Sequence, residues 1–454
     1  MSTLYGDDRS AGEPIAARDD LIDVLRRGEK PAGRWGVGIE YERLPVSRES
    51  GDAVPYLAAA DRRPSIAELL ETLAARGWQA QRESGNIVAL ERGGTRVTLE
   101  PGAQVEMSGR VHAGLLEALA EIHHFVREVD AVAAGMGIAF LGLGFTPFTP
   151  FEKIGWVPKR RYAIMAPYLA ARGHLAHGMM KGTAGCQINL DYASEPDAME
   201  MLRTATAVSS IVTALCANSP LTLGQANGFC TFRSHIWGHT DPDRCGLLPF
   251  ALDERARYED YVDYAMNVPM FFIVRDGEWI DMTGIPFRRF LEEGHRGMRA
   301  VNGDWQMHLT TLFPEVRLKS WLEVRGSDSG SPGMIVAQAA LWKGILYDPA
   351  ARRQAWDLVA GAALPQRLAF HRDVARLGLE ARLSGRSARD LGRDLVTIAA
   401  SHLPAVERPL LAPLEEIVAT GLTPSGRLLD QWRGPWRRDP ARLVEGLAAR
   451  SLSE

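Results

Sequence analysis

The sequence predicts an α+β fold: an antiparallel sheet cups a polar cavity, helices flank it, and the chain ends in a helical region. Three observations predict it. Runs with two-residue alternation are interleaved with runs of 3.6-residue periodicity up to about residue 334, after which the pattern is almost wholly helical. Two alternating runs meet at Gly93-Gly94, a hairpin signal. Four of the strands divide in the same way, into an apolar side and a side of carboxylates, amides or a guanidinium.

Taken in order, residues 15–28 read as an amphipathic helix ended by Gly28. WGVGIEYERLPV (35–46) reads as a strand, and a helix follows from Ser65 to about residue 76. NIVALERGG and TRVTLEPGAQVEMSG form the hairpin, with Pro101-Gly102 bending or interrupting its second arm. Residues 112–134 carry the period of a long helix, and IAFLGLGF returns as a buried strand. GCQINLDY (185–192) is a strand, and 197–217 is a helix stopped by Asn218-Ser219-Pro220. Short helices are expected over 255–268 and 286–293, and RLKSWLEVRGSD (317–328) as one strand. There is no internal repeat, low-complexity tract or clear linker. The expected division is a catalytic α+β region over 1–350 and a helical region over 351–454 packed on the same domain.

Bulk properties exclude several classes. The formal net charge is −4, from 52 Lys+Arg against 56 Asp+Glu, which leaves no electrostatic footprint for nucleic acid. Hydrophobic residues are 46% and charged residues 24%, an ordinary globular balance. AVAAGMGIAFLGLGF is too short and too glycine-rich to span a membrane. MSTLYGDDRSAGEP lacks a basic segment followed by an apolar run, so no secretory signal is expected. Four cysteines without a C-x-x-C pair fit reduced thiols in a cytoplasmic protein.

The four polar faces carry the chemistry. Glu40 and Glu42 oppose Val37, Ile39 and Tyr41; Thr98, Glu100, Gln104, Glu106 and Ser108 oppose Val97, Leu99, Ala103, Val105 and Met107. Gln187, Asn189 and Asp191 oppose Cys186, Ile188, Leu190 and Tyr192, and Trp321, Glu323 and Arg325 oppose Leu322 and Val324. A solvated sheet face would mix Lys, Thr and Glu; here Lys is absent and carboxylates dominate. Glutamates converging on a concave surface repel one another. Divalent cations relieve that, and Mg²⁺ prefers hard oxygen ligands that it shares with phosphates. The face therefore points to Mg-nucleotide chemistry without a P-loop. Counter-charges lie at Lys159, Arg160 and Arg161, and at Arg233, whose apolar neighbours Phe229, Phe232, Ile236 and Trp237 require it to have a partner. Two other patterns fail. Cys230, His235, His239 and Cys245 have the spacing C-x4-H-x3-H-x5-C of no common zinc module. GMGIAFLGLG follows a helix and opens a strand, the reverse of a dinucleotide loop.

Longer passages carry a family resemblance: GVGIEYER, GNIVALERGGTRVTLEPGAQVEMSG, MGIAFLGLGF, RRYAIM, QINLDYASE, ANSPLTLGQANGF, FRSHIW, YVDYAMNVPMFF, MTGIPFRRFL and DWQMHLTTLFPEVRLKSWLEVRGSD. In this order, over about residues 20–350, the chain resembles glutamate–cysteine ligases of the plant and proteobacterial type. The resemblance implies a glutamine-synthetase-like fold and the ATP- and Mg²⁺-dependent joining of the L-glutamate γ-carboxylate to the L-cysteine amine, a first step toward glutathione or a related thiol. It implies metal-binding carboxylates at Glu40, Glu42, Glu100, Glu106 and Glu323. It implies a substrate grip at Arg161 and Arg233, with Gln187 and Trp237, and charge stabilisation by Arg233 and Arg325. Expected partners are L-glutamate, L-cysteine and ATP, with no nucleic acid and no membrane, in a monomer or homodimer. A γ-glutamyl ligase with another amine acceptor is the alternative; a non-catalytic nucleotide-binding regulator would have no need of five glutamates. Ala184 and Met282 stand where plant members carry regulatory cysteines, so that redox switch is not expected here. SGSPGMIVAQ after Asp328 departs from the plant pattern, and no transit peptide is expected.

Overall fold

A computed structural model describes residues 11–58 and 64–453; the first ten residues, and with them most of the stretch read for a leader, lie outside the described residues. A nine-stranded antiparallel sheet organises the chain. Its strands are β1 (Val37–Ser47), β2 (Gln79–Glu83), β3 (Asn86–Arg92), β4 (Thr95–Leu99), β5 (Val105–Ser108), β6 (Ile138–Leu141), β7 (Gly185–Leu190), β8 (Val316–Leu318) and β9 (Leu322–Asp328). They run in the order β8-β9-β7-β1-β5-β4-β3-β2, with β6 joined to β1 off this path.

β1 is long enough to change partners along its length. Residues 37–43 are flanked by β5 and β7, and Leu44–Ser47 pair with β6. Its alternation puts Val37, Ile39 and Tyr41 on a buried apolar face shared with Val97, Leu99, Val105, Met107, Ile188 and Leu190. Each such aliphatic side chain contributes about 1.5–3 kcal/mol on burial. The helices over that face are α3 (Leu115–Gly135), α6 (Glu195–Leu215) and α11 (Pro332–Leu346). α6 and α11 bury residues nearly all round, as expected of helices sandwiched between layers. α12 (Pro349–Asp357), α13 (Leu364–Leu377), α14 (Ala388–His402) and α15 (Ala412–Thr420) form the outer layer. One apolar core runs from Leu21 to Val418, and a second joins β6 and the far end of β1 to α16 (Pro424–Arg433) and α17 (Pro440–Ser453).

Local signals hold where they are mechanistic. α1 (Arg18–Arg26) precedes Gly28, and Ser65 caps α2 (Ile66–Ala74) by accepting from the Glu68 N–H at 3.3 Å. α8 (Tyr258–Asn267) and α9 (Phe287–Glu293) fall within the expected ranges. The Pro101-Gly102 interruption is the loop between β4 and β5, closed by Glu100 N–H donating to Gln104 O at 2.9 Å. Only glycine fits at Gly102, because a Cβ there would lie 2.2 Å from the Lys181 carbonyl oxygen.

One strand is corrected. Residues 317–328 are a hairpin, not one strand: β8 and β9 are joined through Lys319-Ser320-Trp321, and Arg317 faces Glu323. The turn is pinned against α1, where a Cβ on Gly28 would meet Ser320 O at 2.2 Å and Ser320 Oγ donates to Val24 O at 3.0 Å. Trp321 therefore leaves the polar strand face, and a bulge between Val324 and Ser327 breaks the parity again. α4 (Arg160–Arg172), α5 (Ala176–Gly182), α7 (Phe232–Trp237) and α10 (Asn302–Thr310) are helices the sequence patterns did not announce. Among the described residues no helix is long and apolar enough to cross a membrane.

Candidate active site

The polar face of the sheet assembles from its register. Glu42 on β1 sits directly opposite Glu106 on β5, and Glu40 opposite Gln187 on β7. Thr98 on β4 faces Glu106, and Glu100 follows at the end of β4. α4 brings Arg161 over this face, and α7 brings Trp237. Glu40, Glu42, Glu100, Glu106, Arg161, Gln187, Trp237 and Arg325 line one cavity, together with Met165, Met179, Met180 and Phe313. Arg233 lies beside it, in a hollow it shares with Trp237, Arg325 and Glu315. Nine of the ten residues expected at the site thus stand at or next to one concavity.

The β1 and β5 carboxylates accept hydrogen bonds from neutral groups. Glu42 accepts from Gln187 Nε2 at 2.7 Å and from the Gly185 N–H at 2.5 Å. Glu40 accepts from Asn189 Nδ2 at 3.1 Å, and Glu106 from Thr98 Oγ1 at 2.8 Å and Ser108 Oγ at 3.0 Å. Repulsion follows. Burial, with the Glu100 and Glu106 charges, pushes the Glu42 carboxyl up to about 7, and burial with the Glu323 and Glu106 charges raises Glu40. Hard oxygen donors carrying excess negative charge suit a divalent cation such as Mg²⁺. Among the described residues, no three acidic, His or Cys side chains are already grouped as a metal site.

Glu323 has cationic partners. It accepts from Arg317 Nη2 at 2.7 Å, pairs with Lys319 Nζ at 2.7 Å, and is bonded by Arg325. Burial opposes its ionisation, but Arg317, Lys319 and Arg325 overcome that and hold its carboxyl well below the ordinary range. In this structure its oxygens are taken up by Arg317, Lys319 and Arg325, and it is the counter-charge of that cluster. Arg317 and Lys319 were missed because reading 317–328 as one strand hides the hairpin that folds them back onto Glu323. Strict alternation over 317–328 in fact gives Arg317 and Lys319 the parity of Glu323 and Arg325, so lysine is not absent from this face.

Arg233 is 3% exposed and fixed at both ends. Its N–H donates to Ser219 Oγ at 3.1 Å and its Nη2 to Arg325 O at 3.0 Å. Asp328 anchors the surrounding loops by accepting from Asn218 N–H (2.7 Å), Ser219 Oγ (2.7 Å) and Thr231 Oγ1 (2.8 Å). Thr231 in turn caps α7. Gly185 gives the guanidinium its room, since a Cβ there would lie 2.5 Å from Arg233 Nη2. Lys159 donates to Leu99 O at 2.7 Å, and burial with the neighbouring Arg161 charge pushes its ammonium down to about 7. Of the other candidates, Cys230, His235, His239 and Cys245 form no metal-capable group among the described residues.

A larger groove of about 580 Å³ opens on the other side of Glu40. Glycines 28, 36, 38, 94 and 109 lower its walls, Arg27, Lys30, Arg96, Arg317 and Lys319 make it cationic, and Trp321 and Val111 give it an apolar surface.

A family model described as glutamate–cysteine ligase family 2 matches residues 36–446. The chain belongs to the glutamate–cysteine ligase family. It is 39% identical over 444 residues to the chloroplastic glutamate–cysteine ligase of Medicago truncatula, covering 96% of this chain and 86% of that one. The Arabidopsis thaliana chloroplastic glutamate–cysteine ligase is also 39% identical over 444 residues, covering 96% and 84%. The solved glutamate–cysteine ligase of Francisella tularensis, in complex with AMP, superposes with a TM-score of 0.57 at 13% identity over 92% of this chain and 89% of that one. At that identity the likeness speaks for the fold, which is the α+β fold of the glutamine-synthetase-like ligases. In this ligase family member the match runs past residue 350 to 446, across the helices that cover α6 and α11.

Proposed function

We propose that the enzyme joins the γ-carboxylate of L-glutamate to the amine of L-cysteine, using ATP and Mg²⁺ and passing through γ-glutamyl phosphate. The observation that carries this reading is the position of the acidic face. It lies between a hollow lined by Arg233 and Trp237 and a cationic groove, and Glu40 belongs to the walls of both the acidic cavity and the groove. An amino acid at one end and a triphosphate at the other would meet over the glutamates.

A carboxylate does not acylate an amine at neutral pH, because its leaving group is poor. Phosphorylation by ATP supplies one, and the cysteine amine then attacks the acyl carbon as phosphate departs. Arg161 and Arg233 hold the anionic amino acid, with Gln187 and Trp237 beside them. Arg325 faces the transferring group and stabilises its charge. In the groove, Arg96 and Lys319 receive phosphates and Trp321 offers a face to the base. Glu40, Glu42, Glu100 and Glu106 would hold Mg²⁺, which neutralises phosphate charge when bound. Four unpaired cysteines suit a reducing compartment, the cytoplasm.

The test is ADP release by the purified protein with Mg-ATP and L-glutamate, adding amines singly under reducing conditions. Strong stimulation by L-cysteine, with γ-glutamylcysteine identified by mass, is expected. Stimulation only by another amine moves the acceptor, and no release with any amine overturns the reading.

A further inference from the structure

We infer that Glu315 receives the α-ammonium of the bound glutamate and so prevents the activated substrate from closing on itself; this rests on the glutamate site proposed above. Arg233, Trp237, Glu315 and Arg325 wall a hollow of about 10 Å³, the room of one water or one ammonium group. Three polar atoms of these lining residues are buried without a hydrogen-bond partner: Arg233 Nε, Trp237 Nε1 and Glu315 Oε2. Buried polar groups are nearly always paired, so three orphans on the residues around one small hollow point to a ligand there. Their chemistry is that of an α-amino acid in outline. The carboxylate oxygen suits its ammonium, which is all the hollow has room for, and the two N–H donors suit its carboxylate in the adjoining cavity, which shares Trp237, Phe313 and Arg325 with the hollow.

The surroundings hold Glu315 in place. Its backbone N–H donates to Gly246 O at 3.0 Å, and its own carbonyl accepts from Arg325 N–H at 3.0 Å. A Cβ on Gly326 would fall 2.1 Å from Glu315 Oε2, so only glycine leaves the carboxylate its place. The other oxygen is backed by His371 Nε2 at 3.7 Å, whose Nδ1 lies 3.0 Å from Ser210 Oγ.

The reaction decides which amino acid the hollow serves. The cysteine amine is the nucleophile and must lose its proton, which a facing carboxylate would oppose. The glutamate α-amine is a spectator with a hazard. In γ-glutamyl phosphate its lone pair can attack the γ-carbonyl carbon. A C–N bond then forms, the C–O bond to phosphate breaks with its electron pair leaving on phosphate, and the nitrogen proton passes to solvent. The product is the five-membered lactam 5-oxoproline, with ATP spent. An ammonium held against Glu315 has no lone pair to offer.

The test uses the wild-type enzyme and E315Q. Wild-type should bind L-glutamate at least ~10-fold more tightly than glutarate, which lacks the amine. E315Q should raise the glutamate KM by ~10-fold or more and increase the ratio of 5-oxoproline to γ-glutamylcysteine. Its affinity for glutarate and its KM for ATP should be unchanged. Equal binding of glutamate and glutarate by wild-type overturns the inference, and this comparison decides the matter even if E315Q fails to fold. Equal weakening of both ligands in E315Q, or an unaltered KM and product ratio, overturns it as well. Absence of γ-glutamylcysteine from the wild-type reaction overturns the proposed function instead; an active wild-type with an indistinguishable E315Q overturns only the role of Glu315.

Discussion

Gly185→Ala is the sharpest probe of how the sheet serves the site. Gly185 has an ordinary backbone conformation, absent from the positive-φ glycines, so alanine adds only a methyl. That methyl would stand 2.5 Å from Arg233 Nη2 and 2.8 Å from its Cζ. The guanidinium must retreat, and the Nη2 bond to Arg325 O at 3.0 Å goes with it. A hydrogen bond from a charged donor is worth about 1.5–3 kcal/mol, and overpacking costs about 1–3 kcal/mol more. If Arg233 holds glutamate, displacement of one arginine contact raises the glutamate KM by roughly 10- to 100-fold, since 1.4 kcal/mol is tenfold. The KM for ATP stays near wild-type, because the groove does not include Gly185 or Arg233. The assay is steady-state ADP release with each substrate varied, alongside a thermal melt. An unchanged glutamate KM in a folded G185A protein refutes the argument.

Other outcomes follow from the buried charges. Arg317→Met leaves Glu323 with Lys319 and Arg325 only, at a fully buried position, and should cost about 3–5 kcal/mol in urea unfolding. Asp328→Asn turns an amide NH₂ toward one of three donors, so stability should fall by about 1–3 kcal/mol; in the same protein the glutamate KM should rise through misplacement of α7, as read by the same melts and steady-state kinetics. The Lys159 ammonium sits at about 7 in the folded protein against 10.5 ordinarily, so the unfolded chain binds more protons between those pH values. Stability should therefore gain as pH rises from about 7 toward 10.5, and Lys159→Met should flatten that gain in denaturation curves taken across the window.

Much of the site was legible because strand parity is a local property. Glu40, Glu42, Glu100 and Glu106 were placed on one face by alternation alone, and the structure puts them in one cavity. Arg233 stood out as a charge among aromatic neighbours. What alternation cannot report is a turn or a bulge. The Lys319-Ser320-Trp321 turn depends on Gly28, far away in sequence, and hid the Arg317–Glu323 pair. Glu315 sits in a short irregular stretch before β8, where no period marks it, and its setting depends on the missing side chain of Gly326. α4 and α7 are short or interrupted, α4 by Pro167, so their apolar periodicity was weak although their arginines were visible.

The order of the strands also sets a timetable. β1 waits for β5, then for β7 at residue 185, and β7 in turn waits for β9, which ends at Asp328. Pairings so distant in sequence form slowly, since loop closure precedes any reward. On a growing chain the cavity would lack its Arg325 wall until β9 has left the ribosome, and Arg233 would lack its Arg325 anchor until the same moment. The polypeptide thus passes most of its synthesis unable to bind either end of its reaction, and competence arrives late and all at once.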